Sequence, residues 1–314
     1  MPRNRQTWRA VAQRQALPIV QIASAVVIAA ALALAGCTAA GAGEHRAKSA
    51  SDQIDTEHLF GFTQGSDIGQ AGETELEADS TGRFGKREGS YNAAATSLEA
   101  KFTLSDSVLI APTATIAYYD IVGVPGLDDR RQGRLQDLSL EMRYRLLNRE
   151  RAPFGLTFLI DPKWGFADEF SGARARQYGA EFRIAADREL VRDRLYAALN
   201  LLYIPEVTRV YETNSTARES TFGAYLAVTG QVRPGLFLGA EARYLEHFEG
   251  VALNHFAGRA FYLGPTLYAG LGGRWWLSAS WNFQVSGRAS DVPGALDLTN
   301  FERYQAKLRI GVSF

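Results

Sequence analysis

The sequence is poor in the residue types that carry most redox, metal and nucleophilic chemistry. Of its 314 residues one is cysteine and four are histidine. One cysteine excludes a disulfide framework within the chain, and four scattered histidines supply neither ligand spacing nor a recognisable nucleophile–base pair. An excess of one charge is also missing. The 34 basic and 34 acidic residues cancel, which argues against a nucleic-acid partner. Long apolar runs are confined to Ile19–Ala35, near the N-terminus, and beyond it no segment carries convincing helical periodicity. Glycine, at 30 residues, and aromatics, at 11%, are plentiful. They punctuate a long series of alternating segments.

The apolar run follows Arg3, Arg5, Arg9 and Arg14, the layout of an export signal rather than of a stop-transfer helix. Its end, Leu34-Ala35-Gly36-Cys37, resembles a lipobox, which implies acylation of Cys37 as the mature N-terminus. Cleavage after Ala42, behind Ala40-Gly41-Ala42, is the alternative. The expected division is a signal peptide over 1–37, a periplasmic linker and lead-in segment over 38–70, and a barrel over 71–314.

From about residue 70 the period is two, the signature of strands. Twelve alternating segments are predicted, at 72–84, 95–104, 107–119, 135–147, 154–166, 175–187, 194–204, 220–231, 235–246, 259–270, 273–286 and 303–314. Soluble strands average about 5–6 residues, whereas these have the length of tilted strands that cross a bilayer. Short and long connections alternate, as periplasmic turns and outer loops do. The long ones include Ile121–Arg134, Pro205–Glu219, His247–Gly258 and Gly287–Glu302. An even strand number places both termini in the periplasm. Tyr118, Tyr119, Trp164, Tyr203, Phe261, Tyr262, Trp275 and Trp276 fall near strand ends, where an aromatic girdle is expected. The fold class is therefore all-β, a closed antiparallel transmembrane barrel.

The last strand carries Tyr304, Ala306, Leu308, Ile310, Val312 and Phe314 on one face and Gln305, Lys307, Arg309 and Ser313 on the other. Tyr304, Leu308, Ile310, Val312 and the terminal aromatic Phe314 resemble the C-terminal signature of bacterial outer-membrane β-barrel proteins. That resemblance implies recognition by the barrel-assembly machinery and location in the outer membrane. Leu59-Phe60-Gly61-Phe62-Thr63-Gln64-Gly65-Ser66-Asp67-Ile68-Gly69, followed by Thr81–Tyr91, resembles the opening of an uncharacterised proteobacterial group of such barrels. It implies fold and location and transfers no functional residue.

With apolar faces turned to lipid, the inward set is charged. Glu99 and Lys101, Glu141 and Arg143, Asp161 and Lys163, Glu181 and Arg183, and Glu241 and Arg243 each place an acid and a base two residues apart on one face. Glu75 and Glu77, with Asp79, form an acidic row on the first strand, and closure would set Lys307 and Arg309 beside it. Two readings of this interior stay open: a narrow mixed-charge pore for small solutes, or a salt-bridged filling that stabilises a closed, surface-interacting barrel. A lipid-modifying enzyme would resemble outer-membrane phospholipase A, but no serine pairs with a histidine here. His247 and His255, with Glu246 and Glu249, are allowed ligand types without tight spacing. No catalytic residue, metal or cofactor is expected. The expected partners are outer-membrane lipid, the assembly machinery and small solutes.

Overall fold

The computed structural model describes residues 54–314. The signal peptide, Cys37 and the linker up to residue 53 lie outside the described residues. Twelve strands follow in order: β1 (Thr74–Phe84), β2 (Ser90–Ser105), β3 (Val108–Val122), β4 (Arg130–Leu147), β5 (Gly155–Ala167), β6 (Arg174–Val191), β7 (Leu195–Val210), β8 (Ser215–Arg233), β9 (Leu236–Glu249), β10 (His255–Gly272), β11 (Trp275–Ala289) and β12 (Tyr304–Ser313). Each pairs antiparallel with its neighbour, and β1 pairs with β12, so the sheet closes into a barrel.

Side-chain period decides which face meets which medium. On β2, Leu104 is 60% exposed while Thr103 beside it is 5%. The same alternation turns Leu98, Ile116, Leu138, Phe158, Phe182, Leu199, Leu226 and Phe283 outward. An apolar exterior of this extent would be an aggregation hazard in water, and around a closed sheet it is a lipid-facing band. Closure sets Asp79 opposite Arg309 and Thr81 opposite Lys307. Lys307 Nζ reaches Asp79 at 2.6 Å across the seam.

The strands outrun their expected ends at the loop side. Residues within the expected loops Pro205–Glu219 and His247–Gly258 instead extend β7 to Val210, β8 back to Ser215, β9 to Glu249 and β10 back to His255. Glu206, Thr208, Arg209 and Arg218 are polar on both faces, so the alternation fades, yet the ladder continues above the lipid band. The girdle also needs correction. Tyr119, Tyr262 and Trp276 are buried inside the barrel, because a strand must send one member of each adjacent aromatic pair inward.

An arginine on the lipid face costs about 2–4 kcal/mol near the bilayer midplane. Leu226→Arg, beside Leu199 across the β7–β8 ladder, should lower unfolding stability by that amount in urea titrations of the barrel in vesicles. Leu226→Ala should cost clearly less.

Candidate functional site

The segment before β1 does not lead in from outside the barrel: Thr56–Ile68 runs inside the lumen. It starts at the short-turn end, where Arg149, in the β4–β5 turn, donates to the Ile54 carbonyl at 2.5 Å. Asp67 accepts from the Thr56 amide and hydroxyl, both at 3.0 Å, closing an Ω-like loop whose ends meet. Asp187 of β6 caps this neck through the Ser66 hydroxyl at 2.7 Å and the Thr56 hydroxyl. Arg149 bridges Asp67 at 2.9 Å and Asp187 at 3.4 Å.

Along the loop, backbone groups with no sheet partner find wall side chains, as buried amides must. The amides of Phe62 and Thr63 donate to Glu241 Oε2 at 2.9 and 3.1 Å. Gln64 exchanges both its backbone bonds with the Asn200 side-chain amide. Arg309 donates to the Phe60 carbonyl at 2.9 Å and Arg183 to that of Phe62 at 3.2 Å. Leu59 and Phe60 pack on Tyr196, Ala198, Ala227 and Phe237. Phe62, at the tip, lies under the Arg243 guanidinium, 3.6 Å from its carbon. Two glycines are required by this fit. A Cβ on Gly61 would strike Glu241 and Ser280, and one on Gly65 the Thr56 backbone.

The inward charges therefore divide by partner. Glu141–Arg143, Asp161–Lys163 and Glu181–Arg183 pair along their own strands at 2.5, 3.5 and 2.7 Å. Glu99–Lys101 and Glu241–Arg243 do not. Lys101 turns to Glu57, Glu75 and Glu77 at 2.5, 3.0 and 2.5 Å. Glu241 serves the plug amides, and Arg243 bonds Gln305 at 2.5 Å. Arg143 joins Glu57 of the plug at 2.7 Å. Arg309 stands 3.9 Å from Glu77. His58, expected just ahead of the barrel, is 2% exposed inside it, stacked on Trp276 at 3.7 Å. Glu57, His58, Asp187, Asn200 and Trp276 were not legible as site residues. The available signal was the run of small inward side chains, Ala198, Ala227, Ser278 and Ser280, which leave space for a guest chain.

The other end is covered by the loop between β11 and β12, residues 290–303. Its Asp297 and Glu302 backbone is held by Gln284 and Tyr262, and Phe301 joins a cluster with Leu202, Tyr225 and Tyr262 against which Phe62 packs. Lys86, in the β1–β2 loop, donates to the Phe301 carbonyl at 2.8 Å. Burial pushes its ammonium down to about 8, against the opposing pull of Glu302. The filling is eccentric. Arg243 and Arg309 are each 2% exposed, whereas the Lys163 side chain, on the β5 side of the same lumen, is 38% exposed.

A closed barrel with an apolar exterior and a polar, plugged lumen defines the class: the fold is that of outer-membrane β-barrels. Residues 52–314 match the model of a family of unknown function, DUF6662, and the chain belongs to that family. Among solved structures it is similar to an outer-membrane channel from Pseudomonas putida F1. The identity is 13% and the TM-score 0.57, over 79% of this chain and 98% of that one. It is also similar to the β-domain of the Bordetella autotransporter BrkA, at 12% identity and a TM-score of 0.52, over 77% of this chain and 100% of that one. No protein with a curated description matches the sequence. At these identities the likeness concerns the fold.

Charge-assisted hydrogen bonds contribute about 1.5–3 kcal/mol each. Glu241→Ala, which removes the acceptor of the Phe62 and Thr63 amides, should speed hydrogen exchange at those amides by tenfold or more. Exchange in the β9 ladder should stay unchanged.

Proposed function

We propose that the protein is a passive outer-membrane pore for small solutes, narrowed by its own N-terminal plug. Both termini would lie in the periplasm, and Tyr304 to Phe314 would be the segment read by the assembly machinery. The observation that carries the pore is the uneven filling of the lumen. The plug bonds wall residues around most of the barrel, from Arg143, Asp187 and Asn200 to Glu241 and Arg309, and the side around Lys163 on β5 keeps water-accessible charge. Lys163 lines that side with Asp161, Glu181 and Glu141, whose side chains retain 14, 15 and 12% exposure. Arg143, Lys163 and Arg183 balance Glu141, Asp161 and Glu181 along it, so no strong preference between small cations and anions is expected.

The loop 290–303, folded over the far end, favours a second reading in which the barrel is closed and structural. Conductance separates the two.

In planar bilayers the purified barrel should give small steps of weak ion selectivity. Removal of residues 54–69 should enlarge them several-fold, and Lys163→Glu should shift the reversal potential toward cations. Absence of steps from both the full chain and the plug-less barrel would establish the closed reading.

A further inference from the structure

The strongest unexplained chemistry in the lumen surrounds His58. Both its ring nitrogens are buried without a hydrogen-bond partner, an expensive state for a polar ring that is 2% exposed. Nε2 points at carboxylate oxygens instead: Glu75 Oε2 at 3.3 Å, Glu57 Oε2 at 3.7 Å and Asp55 Oδ2 at 3.7 Å. Ligand atoms of Glu57, His58, Glu75 and Glu77 all fall within 4.8 Å of one another. Zinc binds nitrogen and carboxylate oxygen at about 2.0–2.2 Å, so two ligands on one tetrahedron stand about 3.3–3.5 Å apart. The His58–Glu75 and His58–Glu57 separations are close to that edge.

Lys101 does not fill this position. Its ammonium sits on Glu57 Oε1 and Glu75 Oε1, whereas His58 faces the Oε2 atom of each. Glu77 shares its Oε2 with Lys101 at 2.5 Å, and its Oε1 stands 3.9 Å from Arg309. Positive charge is still short here. Asp55, Glu57, Glu75 and Glu77 meet Lys101, Arg143 and Arg309, and Arg143 is shared with Glu141. An outer shell is also in place. Trp276 Nε1 donates to Glu75 Oε2 at 2.9 Å and the Ser313 hydroxyl to the same oxygen at 3.1 Å. Such bonds orient a ligating carboxylate.

We propose that Glu57 and His58 of the plug, with Glu75 and Glu77 of β1, form a binding site for a divalent transition-metal ion of the zinc type, which ties the plug to the wall. One nitrogen and several carboxylate oxygens suit such an ion better than a soft one, since no thiolate occurs among the described residues. The site depends on the plug lying in the lumen and is independent of whether the pore conducts.

The test uses the folded full-length barrel in detergent, stripped with chelator, loaded with zinc chloride and passed over a desalting column. Elemental analysis should find about one zinc per barrel. His58→Gln should weaken retention at least tenfold. Trp276→Phe keeps every ligand but removes the donor to Glu75, and should weaken it about tenfold. Cobalt chloride should give a visible ligand-field band in the wild type that His58→Gln lacks. Heat-modifiable gel migration confirms that each variant is folded. A folded wild type that keeps no zinc, or equal retention by His58→Gln, overturns the site and assigns the charge deficit to a protonated imidazole.

Discussion

Every backbone amide and carbonyl facing lipid must be satisfied inside the protein, and a closed sheet is how a strand-based chain achieves it. That constraint sets the rest of this structure. Closing β1 onto β12 removes the edges, but twelve strands enclose more space than inward side chains fill alone. The chain fills the surplus with its own residues, Thr56–Ile68 from the turn end and the loop 290–303 from the other. Each inserted segment is itself backbone without a sheet, so the wall must provide the missing hydrogen-bond partners. Glu241, Asn200, Asp187, Arg183 and Arg309 do so for the plug. Gln284 and Tyr262 do so for the loop.

The charged lumen is thereby explained by pairing as much as by passage. Where guest chain is present, wall charges leave their strand neighbours and turn to it, as Lys101 and Glu241 do. Where it is absent, acid and base pair along one strand, as Asp161 and Lys163 do, and water reaches them. Arg143 and Arg183 do both, keeping their strand partners while reaching Glu57 and the Phe62 carbonyl of the plug.

The wall was legible in the sequence because one physical rule governs it throughout. A lipid-facing side chain at every second position marks Leu98, Phe102 and Leu104 as readily as Leu308 and Ile310. The seam was legible for the same reason: Lys307 and Arg309 had one face to occupy, and the acidic row of β1 lay opposite. The plug obeyed no such rule. Its segment has no period, and its partners are remote: Phe62 and Glu241 stand 179 positions apart. Its glycines at 61 and 65 belong to that aperiodic stretch. The structure shows them as places where a side chain would collide with Glu241 and with the Thr56 backbone. Strand ends were blurred where Glu206 and Arg218 made both faces polar above the lipid.

The plug touches the first strand and the last at once. His58 meets Glu75 and Glu77 on β1, while the carbonyl of Phe60 accepts from Arg309 on β12. In an up-and-down barrel these two strands are the farthest apart in the chain, and their joining completes the cylinder. A segment bonded to both adds contacts across that final joint, beyond the ladder itself. The sixteen residues ahead of β1, 54–69, would then matter during biogenesis as well as afterwards. Their loss would show first as barrels that insert slowly or remain unclosed.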